Sequence, residues 1–287
     1  MMKNSVLVVF AAYLLLSCPE GRMAHASESG GLRVISLAPS STEILFALGL
    51  DDEVVGVSQY CNYPERALAK ERVGTFSQPD IEKIMFLKPD MIFCTSLEQA
   101  PSVTRLRRLG FKVCVSDPST VEELFASIDE VGGLVGRPSE ARSLISGMRA
   151  GLESIAGPVT SVPMAKRPKV YVEFWNSPIM TAGRGSLIDE LITLAGGVNI
   201  ASSAKARYSS FSPEEVVKRD PDCVILGYMQ SPGALDSFKS RFGWGDISAV
   251  RNGRVYNDID SNIILRPGPR AVQGVLEMHK RFYPDGI

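Results

Sequence analysis

Apolar residues in the first half of the chain alternate between two spacings. Short apolar runs are typical of buried strands, and the segments between them carry apolar residues at helical spacing. The strand-like runs are 33–37, 54–57, 91–94 and 112–115, and the helical segments are 41–48, 81–87 and 103–109. This alternation favours parallel strands joined by crossover helices, so the segment predicts an α/β lobe.

The helical spacing continues over 120–135 and again over 138–155. Pro138 suits the first turn of a helix. Gly157-Pro158 then interrupts the pattern, so we expect the second helix to end near residue 157 and to connect the two halves of the chain.

The second half repeats the alternation of the first. Its predicted strands are 169–174, 223–226 and 254–256, and its predicted helices are 187–194, 213–218 and 269–282. The fold class expected is therefore α/β, with two Rossmann-like lobes joined by a single long helix. The predicted boundaries are 27–135 for the N-terminal lobe, 136–157 for the bridging helix and 158–287 for the C-terminal lobe.

An internal repeat relates the two lobes. In each, an acidic residue in a first helical turn is followed seven residues later by the dipeptide Pro-Asp and then by a buried strand; the pairs are Glu82 with Pro89-Asp90 and Glu214 with Pro221-Asp222. An acidic first turn by itself only stabilises a helix, by about 0.3–1 kcal/mol. A carboxylate at the same point of two related lobes also forms a matched pair, suited to docking on a symmetric basic partner.

The first 26 residues have the pattern of a secretory signal. Lys3 precedes an apolar run over 6–16, and Ala24-His25-Ala26 resembles a cleavage site. The run is too short for a permanent membrane span. Residues 15–18, Leu-Leu-Ser-Cys, also resemble a lipoprotein signal in which Cys18 is acylated and retained, and this alternative stays open. Both predict an exported, periplasmic protein.

Charge and residue content exclude several function classes. The formal net charge is −1, and removal of residues 1–26 makes it −2, so no basic excess indicates nucleic-acid binding. Only His279, expected to be a solvated surface side chain, remains outside the signal, which leaves no histidine for a Ser-His-Asp or Cys-His arrangement. Zinc-binding spacings are absent from the sequence. We expect no enzyme, no catalytic residue, no bound metal and no cofactor.

Four cysteines remain after the signal: Cys61, Cys94, Cys114 and Cys223. Cys94 and Cys223 lie in apolar strand-like runs, where buried free thiols are common. Export to an oxidising compartment also permits disulfides, and pairing of Cys94 with Cys114 is the leading alternative.

The residues that follow the predicted strands indicate where a ligand binds, because ligands of open α/β sheets lie beyond the carboxyl ends of the strands. This set combines aromatic rings with a few polar groups: Ser40, Tyr60 and Phe76 from the first lobe, and Phe174, Trp175, Tyr208, Asp260, Asn262 and Arg266 from the second. Each of these has an ordinary structural alternative, such as core packing or helix capping. Together they predict an interlobe cleft for a large, flat, partly apolar ligand.

Four stretches resemble the cobalamin-binding periplasmic proteins. They are residues 33–43 (RVISLAPSSTE), 57–60 (VSQY) with Tyr63-Pro64, 87–90 (LKPD) and 266–270 (RPGPR). The resemblance covers roughly residues 32–284, and the wider group also binds haem and iron-siderophores for ABC importers. It implies two α/β lobes joined by one rigid helix, here 138–155.

The resemblance also implies roles for individual residues. Glu82 and Glu214 match the glutamates that form salt bridges with permease arginines. The ligand-stacking positions match Tyr60, Phe76, Phe174 and Tyr208, with Asp260 and Arg266 near the opposite rim. The chain departs from the pattern, since Phe76, Tyr208 and Thr95 stand where the cobalamin proteins have tryptophan, and Ala195 and Val275 stand where a disulfide can occur.

These observations predict a monomeric substrate-binding protein of an ABC importer. Its partners are a small-molecule ligand and the permease/ATPase complex in the inner membrane. Cobalamin or a related corrinoid is the expected transported ligand. No cleft histidine is available as an axial ligand for haem, and an anionic ferric siderophore would need more basic residues than the predicted cleft offers. Both ligands stay open as alternatives. The rivals from other classes are a metal-centre enzyme on the same paired lobes and a structural or adhesive protein with no pocket.

Overall fold

A computed structural model of the chain describes residues 31–96, 99–228 and 233–287. The predicted signal at 1–26 and the alternative acylation of Cys18 lie outside the described residues. No helix in these three ranges is long and apolar enough to cross a membrane.

The first lobe is built on a parallel sheet. Within the described residues the strand order is β3-β2-β1-β4-β5, and every neighbouring pair is parallel. The strands are β1 (Val34–Ser36), β2 (Val54–Val57), β3 (Glu71–Arg72), β4 (Met91–Cys94) and β5 (Val113–Val115). The helices are α1 (Pro39–Ala47), α2 (Ile81–Leu87), α3 (Ala100–Arg108) and α4 (Val121–Leu134), with a short 3₁₀ helix at Glu65–Ala69.

A single long helix, α5 (Pro138–Val159), follows the first lobe. It packs against α4 on one side and against helices of the second lobe on the other. The helix begins at Pro138 as predicted, but the expectation that Gly157-Pro158 ends it is wrong, because Pro158 lies inside the last turn. A proline this close to the end removes only one intrahelical hydrogen bond, and the helix tolerates that loss.

The second lobe is built on a mixed sheet with the order β11-β10-β6-β7-β9, and β8 pairs with β6. Strand β7 is antiparallel to β6 and β9, and the other described pairs are parallel. The strands are β6 (Lys169–Asn176), β7 (Ile179–Ala182), β8 (Val198–Asn199), β9 (Tyr208–Ser210), β10 (Cys223–Leu226) and β11 (Val255–Tyr256).

Most helices of the second lobe are short. They are α6 (Leu187–Leu194), α7 (Pro213–Arg219), α8 (Ala234–Lys239), α9 (Ser248–Arg251), α10 (Asn262–Leu265) and α11 (Ala271–Phe282), with 3₁₀ helices at Met164–Lys166, Ile200–Ser203 and Trp244–Asp246. Helices α6 and α11 contact α5, so the long helix has neighbours in both lobes. The predicted class, two α/β lobes joined by one long helix, is confirmed.

The internal repeat extends to the backbone. Helices α2 and α7 each have seven residues, and each ends at a residue in the left-handed conformation, Lys88 with φ 47° and Asp220 with φ 46°. A positive φ is uncommon for residues other than glycine, so its occurrence at the ends of both helices supports a structural repeat. The two Pro-Asp carboxylates also act alike: Asp90 accepts the backbone N–H of Arg33, and Asp222 that of Lys169, each at 2.8 Å.

All four cysteines of the described residues are free thiols. Burial raises the pKa of Cys94 to about 12 and that of Cys114 to about 11. The Sγ of Cys94 donates to the carbonyl oxygen of Cys114 at 3.5 Å, so these neighbouring-strand residues interact without a disulfide. The structure agrees with the favoured prediction of buried thiols, and Cys114 is the one that is only half-buried.

Candidate functional site

An ion-pair cluster joins the two lobes. Glu43, on α1 of the first lobe, has a side chain that is only 2% exposed. Arg270 of the second lobe holds it with two hydrogen bonds, 2.6 Å from Nη2 to Oε1 and 2.8 Å from Nε to Oε2. A buried carboxylate requires such paired donors. The pairing therefore connects the lobes through their interiors.

Arg266 belongs to the same cluster. Its Nη1 lies 3.3 Å from Glu43 Oε1 and donates to Asn62 Oδ1 at 2.8 Å, and its Nη2 donates to the backbone oxygen of Tyr60 at 3.4 Å. Arg266 thus lies beside Tyr60. Its guanidinium already donates hydrogen bonds to acceptors of the protein itself.

Asp260 and Asn262 lie beside this cluster as well. Asp260 Oδ2 accepts from Arg270 Nη1 at 3.2 Å, while its Oδ1 accepts from the side chain of Asn262 at 2.7 Å. The Arg270 guanidinium also lies over the ring of Tyr63, 3.9 Å from its centroid. Three of the predicted polar site residues, Asp260, Asn262 and Arg266, are therefore brought together in one network.

Two aromatic rings of the second lobe contact each other. Phe174, near the carboxyl end of β6, packs edge to face with Tyr208 at a centroid separation of 5.8 Å. The sequence suggested that Tyr208 follows a strand, but Tyr208 is the first residue of β9. Burial raises the pKa of Tyr208, although the Arg207 guanidinium opposes that shift.

The remaining predicted residues take varied positions. Tyr60 follows β2 and is 52% exposed, and Trp175 is exposed with its indole N–H donating to the backbone oxygen of Ser177 at 2.8 Å. Phe76 is half-buried, and its backbone oxygen accepts from the buried Gln99 at 2.8 Å. Ser40 lies in the first turn of α1, buried, where the N-cap is Ala38.

A second pair of interlobe contacts lies apart from Glu43. Arg207 donates to the hydroxyl of Ser119. The carboxylate of Glu190, on α6, accepts the backbone N–H of Val121 at the start of α4, at 2.7 Å. The two lobes are therefore also held together by contacts separate from the Glu43 cluster.

Sequence reasoning missed a buried carboxylate that is adjacent in sequence to the aromatic wall formed by Phe174 and Tyr208. Glu173, on β6, is fully buried and receives two hydrogen bonds from Arg241, at 2.8 and 2.7 Å. The hydroxyls of Tyr171 and Tyr228 also donate to it. Burial raises the pKa of the Glu173 carboxyl, although the Arg241 guanidinium opposes that shift. The available signal was a single acidic residue within an apolar strand.

The two predicted docking glutamates are exposed on the first turns of α2 and α7. The Ser212 hydroxyl donates to Glu214 and lowers the pKa of its carboxyl. Neighbouring lysines do not pair with them in the described ranges: Lys83 pairs with Glu71 at 2.8 Å, and Lys218 with Glu215 at 3.7 Å. Both carboxylates are available to an external cation.

Two further features lie away from these residues. His279 is half-buried rather than solvated, because its Nδ1 lies 3.1 Å from the backbone oxygen of Ala195 and its ring packs on Tyr283. A groove of about 810 Å³ runs along α5 and is lined by Leu144, Met148 and Val272 among others. Neither contributes to the aromatic wall.

Two α/β lobes joined by one long helix, with aromatic side chains near the lobe boundary, define a two-lobed ligand-binding protein. A family profile for periplasmic binding proteins matches residues 34–261. The chain belongs to this family.

Named relatives agree with this class. The chain is 31% identical over 258 residues to an uncharacterized ABC transporter substrate-binding lipoprotein of Bacillus subtilis, covering 88% of this chain and 80% of that protein. The solved vitamin B12-binding protein of Vibrio cholerae is similar at 30% identity and a TM-score of 0.75, covering 88% and 96%. A periplasmic haem-binding protein of Roseiflexus is similar at 27% identity and a TM-score of 0.80, covering 89% and 99%.

Proposed function

We propose that the chain is the substrate-binding protein of an ABC importer, that it captures cobalamin or another corrinoid between its lobes, and that it delivers this ligand to the permease and ATPase. The role is binding and transfer rather than catalysis. The observation that carries the proposal is the aromatic pair Phe174 and Tyr208 on one lobe, with the exposed Tyr60 on the other. Flat macrocycles bind between such rings by stacking and burial of apolar area.

The charges near the cleft favour a corrinoid over an anionic siderophore. Arg266 and Arg270 are the cations beside Tyr60 and Tyr63, but Glu43 and Asp260 already neutralise them. An anionic ligand would have to break these pairs and leave a buried carboxylate uncompensated. A corrinoid with neutral amide side chains needs only hydrogen bonds, which the side chains of Asn62 and Asn262 can supply.

Haem is the second candidate ligand, and a specific observation favours it. Tyr60 presents a half-exposed phenol beside the cleft, and a tyrosine oxygen is an established axial ligand of haem iron. The Roseiflexus relative is a haem-binding protein. The two ligands are separated by experiment: replacement of Tyr60 by Phe keeps a stacking ring but removes an axial oxygen.

A titration panel tests the ligand assignment. The purified mature protein is titrated calorimetrically with cyanocobalamin, cobinamide, haem and a ferric hydroxamate siderophore. We expect one-to-one binding of cyanocobalamin, unchanged within about threefold in Tyr60→Phe. If haem alone binds, and Tyr60→Phe weakens it, the second candidate is correct; if none of the four binds, the ligand assignment is wrong.

Glu82 and Glu214 are proposed to dock the protein on arginines of the permease. Both are exposed carboxylates on equivalent helices, and neither pairs with its neighbouring lysine. We predict that the double variant Glu82→Lys/Glu214→Lys abolishes uptake and leaves ligand affinity unchanged, because charge reversal turns attraction into repulsion. Uptake by cells and calorimetry on the purified variant measure the two effects. Loss of ligand affinity in this variant would contradict the docking role.

Export to the periplasm is part of the proposal, since the family and the sequence pattern at 1–26 both favour it. The N-terminus is either cleaved after Ala26 or acylated at Cys18. Mass spectrometry of the mature protein distinguishes these forms. An N-terminal lobe at 27–135, a bridging helix that reaches Val159, a C-terminal lobe after it and the monomeric state are proposed with it.

A further inference from the structure

The two docking helices occupy equivalent places in the repeat, but their exposed surfaces differ in chemistry. On α2, Glu82 is followed four residues later by Phe86, which is 83% exposed, and on α7 the corresponding residue after Glu214 is Lys218, which is 78% exposed. Residues four apart lie side by side on one helix face. Glu82 therefore has an aromatic neighbour where Glu214 has a cation.

The surface around Glu82 also has a shape that suits a side chain. A notch of about 490 Å³ is lined by Glu82 and Phe86, together with Glu71, Lys83 and Leu87. Lys83 is held by Glu71 at 2.8 Å and so does not neutralise Glu82. Met85, which precedes Phe86 in the sequence, is also exposed, so the short helix α2 carries two exposed apolar side chains.

A carboxylate beside an aromatic face recognises one kind of group particularly well. A guanidinium can pair with the carboxylate while its plane and its aliphatic stem lie on the ring, and such a cation–aromatic contact adds to the ion pair. An ammonium or guanidinium approaching Glu214 instead meets the positive charge of Lys218, which its 3.7 Å contact with Glu215 offsets only in part.

We infer that the two docking contacts are unequal: the α2 surface, with Glu82 and Phe86, binds an arginine of the importer's membrane subunit more tightly than the α7 surface, with Glu214 and Lys218. This inference rests on the proposed function. Even a partner built from two identical subunits is then held first and most firmly through the N-terminal lobe.

A reciprocal exchange of the two residues tests the inference. Phe86→Lys gives α2 the charge pattern of α7, and Lys218→Phe gives α7 the pattern of α2. Fluorescently labelled mature protein is sedimented with right-side-out membrane vesicles from cells of the source organism that lack their own copy of the protein. This assay needs no ligand, and circular dichroism checks that each variant is folded.

We expect Phe86→Lys to weaken vesicle binding by about tenfold and Lys218→Phe to strengthen it by a few-fold. Equal binding of wild type and Phe86→Lys, with loss of binding in Glu82→Lys/Glu214→Lys, would overturn the inequality alone. Wild-type binding that is absent, or unaffected by the double reversal, would overturn the docking proposal itself and the inequality with it.

Discussion

At the scale of single residues, the few ion pairs between the lobes contribute strongly to the free energy of unfolding. Glu43 is buried between Arg266 and Arg270, and its closest hydrogen bond, to Arg270 Nη2, is 2.6 Å long. Removing one partner of a buried pair leaves a desolvated charge, which costs about 3–5 kcal/mol. Exposed pairs, such as Lys280 with Glu277 at 2.7 Å, contribute about 0–1 kcal/mol.

We therefore predict that Arg270→Met lowers the free energy of unfolding by about 3–5 kcal/mol, measured by urea denaturation. Arg266→Met should lower it by less, because Arg270 keeps its two hydrogen bonds to Glu43. Lys280→Met is the control and should change it by less than about 1 kcal/mol. A loss below about 1 kcal/mol in Arg270→Met would show that Glu43 does not depend on this partner.

The aromatic wall gives the corresponding prediction for binding. Replacing Phe174 by Ala removes the ring that packs on Tyr208, and we expect cyanocobalamin affinity to fall about tenfold or more, since a stacked ring supplies on the order of 1.4 kcal/mol or more. Leu276→Ala, on the exposed face of α11, is the control and should leave the affinity unchanged. Calorimetry that finds both variants equal to wild type would place the ligand elsewhere.

At the scale of elements, close approaches between helices depend on glycine. A Cβ at Gly274 of α11 would lie 2.4 Å from the backbone oxygen of Ile263 on α10, closer than any real contact. The same atom at Gly147, on α5, would meet nothing within 4 Å. The space beside Gly274 is thus occupied by backbone, whereas the space beside Gly147 is empty. The same substitution at the two positions therefore has a built-in control.

We predict that Gly274→Ala destabilises the protein by about 1–3 kcal/mol, because backbone must move to relieve the overlap. Gly147→Ala should stabilise it by up to about 1 kcal/mol, since alanine favours a helix. Thermal unfolding of the two variants measures both effects. A stable Gly274→Ala protein would mean that α10 and α11 pack less closely than the structure has them.

Elements with a strong apolar period could be predicted from the sequence, and those defined by pairing could not. The four strands predicted in the first half appear within a residue or two of their expected bounds, and so does α2. Strand β9 is Tyr-Ser-Ser, which has no strand pattern, and it exists because β7 pairs with it. Helix α5 extends beyond its predicted end because Pro158 lies in the last turn, where it costs the helix only one hydrogen bond.

At the scale of the whole molecule, the candidate site is predictable only in part. The aromatic and polar members could be chosen because they follow strands or match a family pattern. Their partners could not: Glu43 and Arg270 are 227 positions apart in sequence, and nothing local indicates that they meet. The same holds for Arg207 with Ser119, so interlobe pairing required the structure.

Hydrogen exchange with and without saturating cyanocobalamin tests the central claim most directly, namely that a ligand is held between the two lobes. A ligand bound there contacts both lobes and slows amide exchange in each. We predict protection at residues 58–63 of the first lobe together with residues 174–176 and 207–210 of the second. Protection confined to one lobe, or to the groove along α5, would contradict the account.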